Sequence, residues 1–202
     1  MKFKKIIIFF KKKVINFLDF LRNKDFLKSV SARELGFNPS ENYRYSTNDN
    51  YFLKKVLDSM SIKKEDKIID VGSGKGNVIK LFLKYPFKKI GGLEISKKLI
   101  SISKKNFKSE NQNRLIFYNL DAQEFTNFDE FNIYYFYNPF CEKIFDKVIS
   151  QIVNKASNKK LLIYNNPTCE ESVLNNGFYL IGEFESQFGH GIKLYELKVN
   201  KK

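Results

Sequence analysis

The sequence predicts an α/β protein with a doubly wound, mostly parallel sheet of seven strands, a terminal antiparallel strand pair and an N-terminal helical arm. Three observations support this fold class. From residue 50 onward, short apolar runs alternate with stretches of helical periodicity. Glycine, acidic or asparagine residues directly follow several of these runs, as at the carboxyl ends of strands in such sheets. The last two apolar runs have no helix between them, which indicates a hairpin.

Strands are predicted over residues 67–71, 89–94, 114–118, 131–137, 160–164, 178–184 and 191–199. Helices are predicted over residues 51–60, 76–85, 96–107, 141–156 and 170–175, where apolar residues recur at helical steps. The run 131–137 is apolar throughout except Asn132, so this strand is expected to be buried on both faces. Because the carboxyl ends of parallel strands share one edge, the residues that follow them are expected to form one cleft.

Length and composition limit the classes of protein that the chain can be. Its 202 residues suit one domain with an appended arm, and 43% hydrophobic residues allow a sizeable core. Two cysteines disfavour a disulfide scaffold and favour a reducing compartment, so a cytoplasmic location is expected. The single histidine, His190, disfavours a histidine-built zinc site and a histidine-based catalytic triad, and we predict no metal site.

The first 42 residues are predicted to form the arm, and residues 43–202 the domain. Residues 1–30 contain nine basic and two acidic residues, so they carry +7 of the formal net charge of +14. Apolar residues recur there at three- and four-residue steps, which indicates an amphipathic helix. The longest apolar run, Ile6 to Phe10, is far shorter than the about 20 residues of a membrane span. Four roles stay open: binding nucleic acid, lying on an anionic membrane surface, packing on the domain, and keeping the protein soluble.

A glycine-rich turn follows the first predicted strand. The strand ends at Asp70 and Val71, and Gly72-Ser73-Gly74-Lys75-Gly76 leads into the next helix. Glycines let the backbone turn sharply and approach a ligand, and the helix N-terminus offers free N–H groups. The dinucleotide pattern G-x-G-x-x-G would need glycine at position 77, which is asparagine, so an oxidoreductase is the weaker interpretation.

The second and fourth predicted strands also end in polar residues. Glu94 closes the second strand, where a carboxylate can accept hydrogen bonds from both hydroxyls of a ribose. Asn138-Pro139-Phe140 follows the fourth strand. An asparagine oxygen and a neighbouring carbonyl can accept hydrogen bonds from an amine and orient its lone pair, while an aromatic ring can stack on a planar substrate.

Together these motifs resemble the class I S-adenosylmethionine-dependent methyltransferase family, and specifically a bacterial group with an Asn-Pro-Phe motif. The resemblance implies a Rossmann-like methyltransferase fold, S-adenosyl-L-methionine as cofactor and methyl transfer to an unidentified acceptor, such as an amino group. It implies that Asn138, Pro139 and Phe140 are the catalytic residues beside the transferable methyl group. The implied cofactor-binding residues are Tyr45, Thr47, Asp70, Gly72, Ser73, Gly74, Gly76, Glu94, Asp121, Ala122 and Asn138.

Within this set, the resemblance gives individual roles to the less conspicuous residues. Asp121 accepts from the adenine amino group, the backbone N–H of Ala122 meets a ring nitrogen, and Tyr45 and Thr47 lie on a lid over the cofactor. Lys75 is expected to change the charge on the ligand side of the turn. Two alternatives stay open: a nucleic-acid-binding methyltransferase-like protein that uses the basic arm, and a non-catalytic nucleoside-binding domain.

Overall fold

The predicted strand-and-helix alternation is present in a computed structural model, which describes residues 19, 21, 24–26, 30–31, 33–36, 50–110, 112–156, 158–186 and 189–197. Seven strands are found there: β1 (Lys67–Val71), β2 (Lys89–Leu93), β3 (Leu115–Tyr118), β4 (Ile133–Tyr137), β5 (Lys160–Asn165), β6 (Phe178–Phe184) and β7 (Ile192–Leu197). The α-helices bounded within the described residues are α1 (Asn50–Ser59), α2 (Asn77–Phe82), α3 (Lys97–Asn106), α4 (Glu142–Asn154) and α5 (Glu170–Asn175).

The strands form a single sheet in the order β3-β2-β1-β4-β5-β7-β6. Strands β1 to β5 are mutually parallel, whereas β7 runs antiparallel to both β5 and β6. The strand order reverses between β1 and β4, and this switch point is where ligands bind in open α/β sheets. The predicted fold class is therefore confirmed, including the terminal antiparallel strand pair.

Apolar side chains cover both faces of the sheet. One face packs on α4 and α5 through residues such as Phe145, Val148 and Val173. The other face packs on α1 and α2, with Leu53 and Ile79 among the buried residues. Strand β4 contributes alternate side chains to both clusters, so it is buried on both faces as the sequence predicts.

Strands β3 and β4 begin later than predicted, and the residue directly before each of them is polar. Strand β4 begins at Ile133, because the side chain of Asn132 binds the chain at the start of β1. Asn132 Oδ1 accepts from Lys67 N at 2.7 Å, and Asn132 Nδ2 donates to Asp66 Oδ1 at 2.8 Å. Strand β3 begins at Leu115, since Arg114 lies in a 3-10 turn and its guanidinium donates to backbone carbonyls of the loop before β2.

Some of the described residues of the N-terminal arm pack on the domain. Phe26 and Val30 are buried, and Phe26 joins the cluster that contains α1 and α2. Most of the helix predicted over residues 1–29 lies outside the described residues, so that helix and the boundary at residue 42 stay predictions. In the described part of the chain, no helix is long and apolar enough to cross a membrane.

Candidate cofactor and acceptor site

The glycine turn between β1 and α2 depends on left-handed backbone geometry. Gly72, Gly74 and Gly76 have φ angles of 84°, 53° and 82°, a region that disfavours residues with a Cβ atom. The turn is fastened to the end of β2, because the backbone N–H groups of Gly72 and Ser73 both donate to Leu93 O, at 2.8 and 3.0 Å. The three glycines are therefore required by the backbone of the turn.

The carboxylate of Glu94 lies at this turn. Its Oε2 accepts from Gly74 N at 2.9 Å, and its Oε1 accepts from Ser96 N at 2.9 Å. Burial raises the pKa of the Glu94 carboxyl, and the backbone donors at Ser96, Gly74 and Ile95 partly oppose this shift. A carboxylate has about four acceptor sites, so with three backbone donors the group can still accept from a ribose hydroxyl.

A second carboxyl group lies beneath the turn at Asp70. It is almost fully buried, and burial, together with the negative charge of Glu94, holds its pKa well above the usual range. Perturbed carboxyls at the switch point of an α/β sheet are characteristic of functional sites. The structure thus brings Asp70, Glu94 and the glycine turn together.

Asp121 and Ala122 lie beyond β3, at the same edge of the sheet. Asp121 Oδ1 accepts from Gln123 N at 2.8 Å, a bond that fixes its own loop. Asn119, which the sequence analysis did not single out, joins this edge to β2: its Nδ2 donates to Glu94 O at 3.0 Å and to Ile95 O at 2.9 Å. Only its position directly after a strand could have indicated this role.

The Asn138-Pro139 turn touches the glycine turn. A Cβ atom placed on Gly72 would lie 2.6 Å from Cβ of Pro139. The two turns therefore approach so closely that Gly72 has no space for a side chain. Asn138 has a φ of 40°, an uncommon conformation for a residue other than glycine. Its Oδ1 accepts from Thr168 Oγ1 at 2.7 Å, which links the ends of β4 and β5. Thr168 was missed by the sequence analysis.

The other predicted site residues are placed differently. Phe140 is 6% exposed, and its ring packs against those of Phe136 and Phe145, so its contact with an acceptor stays a prediction. Lys75, expected to alter the charge on the ligand side, is instead 1% exposed, with its ammonium 2.6 Å from Asp25 Oδ2. Tyr45 and Thr47 lie outside the described residues.

The donor and acceptor groups of the turn fit the nucleoside and amino-acid ends of S-adenosylmethionine. Glu94 offers carboxylate lone pairs, and the positive φ of Gly74 lets its backbone face a ligand. Ser73 Oγ is buried and has no hydrogen-bond partner among the described residues, so it is a further polar atom for a ligand at the turn. No cluster of metal-ligating side chains occurs in the described parts of the chain.

Solved structures share this fold. The methyltransferase domain of bacterial CtHen1 matches with a TM-score of 0.59 and 13% identity, over 76% of this chain and 100% of that chain. Magnesium protoporphyrin IX methyltransferase from Synechocystis PCC 6803, solved with bound S-adenosylmethionine, matches with a TM-score of 0.53 and 14% identity, over 73% of this chain and 76% of that chain. These likenesses show that the chain has the fold of these methyltransferases.

Sequence similarity identifies the family. The model of the ribosomal RNA adenine dimethylase family matches residues 37–172, and the chain belongs to this family. The ribosomal RNA small subunit methyltransferase A of Malacoplasma penetrans is 31% identical over 116 residues, which is 57% of this chain and 36% of that protein. The chain thus matches only about a third of the length of this curated relative. The predicted enzyme class and cofactor are confirmed at the level of the family.

Proposed function

We propose that the protein methylates the exocyclic amino group of adenine in ribosomal RNA, with S-adenosylmethionine as methyl donor. Support comes from the family match and from the contact between the glycine turn and the Asn138-Pro139 turn. This contact is the observation on which the proposal depends. It brings Asn138, whose amide oxygen can accept from an amino group, beside the glycine turn, which is suited to the cofactor. The proposal gives the acceptor that the sequence analysis left unidentified.

Asn138 has the chemistry that an arylamine acceptor needs. The lone pair of an exocyclic amine is delocalised into the base, and hydrogen bonds accepted from the amine favour a geometry in which this lone pair is available. Asn138 Oδ1 accepts one hydrogen bond from Thr168 and keeps a second lone pair for the amine. Its side chain is partly exposed, so an acceptor can reach it.

The chain contributes alignment more than proton transfer. When bound, S-adenosylmethionine supplies an electrophilic methyl carbon. Glu94 and the glycine turn would hold the cofactor, while Asn138 would orient the amine. A neutral amine needs no base before attack, and its nitrogen can lose its extra proton to water afterwards. This accords with the single histidine of the chain, His190, lying in a β6–β7 turn and not among these residues.

Surface charge beside the site supports a polyanionic acceptor. Helix α3 begins three residues after Glu94 and contains no acidic residue. Four of its lysines are exposed: Lys97, Lys98, Lys104 and Lys105. Lysines that neutralise phosphates bind RNA without reading its sequence and hold it over the cleft.

The test is methyl transfer to small-subunit ribosomal RNA that has not been methylated. The full chain is incubated with labelled S-adenosylmethionine and either this RNA or small ribosomal subunits, and the product is digested to nucleosides. We expect label in mono- and dimethylated adenosine, and at least a tenfold lower rate for Asn138→Ala, as for loss of an oriented acceptor group. Label in another nucleoside would contradict the proposal, as would cofactor binding with no transfer to either substrate.

A further inference from the structure

A short stretch of the N-terminal arm, residues 24–26, lies against the glycine turn. It is joined to α3 by two complementary hydrogen bonds. Asp25 N donates to Asn106 Oδ1 at 2.8 Å, and Asn106 Nδ2 donates to Asp25 O at 2.9 Å. Asn106 is 1% exposed, so these bonds are shielded from water.

The same asparagine also holds the glycine turn. Asn106 Nδ2 donates to Lys75 O at 3.0 Å, one residue after Gly74 and one before Gly76. A single buried amide therefore connects the arm, helix α3 and the turn. Displacing the arm removes the partner that fixes this amide in place.

Charge adds a second connection between the arm and the turn. The Lys75 side chain is 1% exposed, and its Nζ lies 2.6 Å from Asp25 Oδ2. Asp25 is 42% exposed at its side chain, so the pair consists of a buried cation and a half-solvated anion. A buried ammonium that loses its counter-charge becomes strongly unfavourable, and the turn that carries it must then rearrange.

Aromatic packing beneath the turn couples the arm to the backbone of the turn. Phe26 is 1% exposed and packs edge-on against Phe107, with ring centroids 5.5 Å apart. A Cβ atom on Gly76 would lie 2.5 Å from Cε2 of Phe107 and 2.8 Å from Ser103 Oγ. Movement of Phe107 is therefore transmitted directly to the backbone of Gly76.

We infer that Asp25 is a positioning residue for the cofactor, acting through Lys75 and Asn106 on the glycine turn. The turn is held both by the ion pair of Lys75 with Asp25 and by the hydrogen bond from Gly74 N to Glu94 Oε2. Because Gly74 and Lys75 are neighbours in the chain, a shift at Lys75 moves the N–H that meets Glu94. This inference concerns cofactor binding alone and does not depend on the acceptor proposed above.

The test measures binding of S-adenosylhomocysteine to the full chain by isothermal titration, with thermal unfolding recorded for each variant. We expect Asp25→Asn to weaken binding by about tenfold, because the buried ammonium loses a charged partner that lies 2.6 Å away. Asp25→Glu should recover most of the affinity. The double variant Asp25→Asn/Lys75→Met should bind more tightly than Asp25→Asn alone, since no buried charge remains to be compensated.

The matched control is the neighbouring ion pair of the same stretch. Lys24 Nζ lies 3.1 Å from Glu110 Oε1, and this pair also joins the arm to the region after α3. The Lys24–Glu110 pair is more exposed than the Lys75–Asp25 pair, and neither of its residues belongs to the turn. Glu110→Gln should leave S-adenosylhomocysteine affinity within about twofold of the parent.

Three results would overturn the inference. The first is that Asp25→Asn lowers the unfolding temperature but binds S-adenosylhomocysteine as the parent does, which would make its role purely structural. The second is that Glu110→Gln weakens binding as much as Asp25→Asn. The third applies if Asp25→Asn does not fold. In that case the double variant Asp25→Asn/Lys75→Met must restore folding and binding, and the inference is overturned if it does not.

Discussion

Gly72 and Pro139 are in such close contact that the first residue of the glycine turn has no room for a side chain. The distance from a Cβ atom on Gly72 to Cβ of Pro139 would be 2.6 Å, shorter than real contacts between such atoms. This contact joins the end of β1 to the end of β4, the two strands at which the strand order reverses. One of the predicted cofactor residues and one of the predicted acceptor residues are thereby held in contact.

Substituting Gly72 by alanine is expected to weaken both stability and cofactor binding. The new methyl group meets Pro139, and the φ of 84° is unfavourable for alanine, so we expect a loss of about 1–3 kcal/mol in the free energy of unfolding. Gly177→Ala is the control, because Gly177 has a φ of 85° but its nearest neighbour would be 3.7 Å away. Denaturant unfolding and S-adenosylhomocysteine titration measure both effects. Equal losses in the two variants would show that the contact with Pro139 has no importance.

Glu94→Gln is expected to reduce S-adenosylhomocysteine affinity by at least about tenfold. An amide in place of the carboxylate would present a donor to the N–H of either Gly74 or Ser96 and would lose charge-assisted bonds to the ligand. Glu124→Gln, on an exposed residue of the loop that contains Asp121, is the control and should bind normally. Unchanged affinity for Glu94→Gln in isothermal titration would remove Glu94 from the cofactor site.

Thr168→Val is expected to lower kcat roughly tenfold while leaving S-adenosylhomocysteine affinity unchanged. The substitution keeps the shape but removes the hydroxyl that fixes Asn138 Oδ1, so the amine acceptor is less well oriented. Thr168→Ser should retain activity. Thr126→Val is the matched control, because Thr126 Oγ1 donates to Asn127 Oδ1 at 3.0 Å in an exposed loop before β4. Normal turnover by Thr168→Val would show that Asn138 needs no such partner.

The Asp70 carboxyl is expected to make the protein less stable as the pH rises. Because its folded-state pKa is raised above the ordinary 3.8, the folded state binds the proton more tightly than the unfolded state. Its destabilising effect is therefore absent below 3.8 and complete above the raised pKa. Asp70→Asn should unfold at a higher temperature than the parent at neutral pH, and this difference should shrink in acid.

Asp58 provides the control of opposite sign for this pH dependence. Hydrogen bonds from Lys54 and then Tyr85 lower the pKa of the Asp58 carboxyl. Asp58→Asn should therefore lower the unfolding temperature above the ordinary pKa of 3.8, and this loss should vanish in more acidic solution. Thermal unfolding from pH 3 to pH 8 compares the two variants with the parent (roughly the range over which carboxyls titrate). The same pH profile for both variants would contradict the assignment of Asp70.

Lysines beside the cleft are expected to contribute more to RNA affinity than lysines at the opposite edge of the sheet. Lys97→Gln/Lys98→Gln removes two charges at the start of α3, whereas Lys63→Gln/Lys64→Gln removes two exposed charges in the loop before β1. Both double variants have the same net charge. The slope of log affinity against log salt should decrease by about 1.5 for the first only. Equal slopes for the two variants would place the RNA elsewhere.

Local sequence patterns were sufficient for the sheet and for one part of the site. Gly72, Gly74 and Glu94 could be predicted because strand ends in a parallel sheet converge, and the hydrogen bond from Gly74 N to Glu94 Oε2 follows from that rule. The partners of Lys75 and Asn138 could not, since Asp25 is 50 residues from Lys75 and Thr168 is 30 residues from Asn138. Such pairs depend on which loops contact one another in the folded chain, and the periodicity of the sequence contains no information about these contacts.

The burial of an aromatic residue is a second feature that could not be predicted from the sequence. An aromatic residue after a strand end serves equally well to stack on a substrate and to fill the core, and the sequence does not distinguish the two. Phe140 lies among Phe136 and Phe145, so its burial was not evident from its place in the Asn-Pro-Phe motif.

The domain defined by packing begins earlier in the chain than the family match, because Phe26 is buried against it. The family match begins at residue 37, yet Phe26 is part of the apolar cluster that supports α1 and α2. A fragment cut at residue 37 would expose the surfaces that Phe26 covers and would tend to self-associate in solution. Recombinant work on this protein should therefore keep the residues upstream of the match.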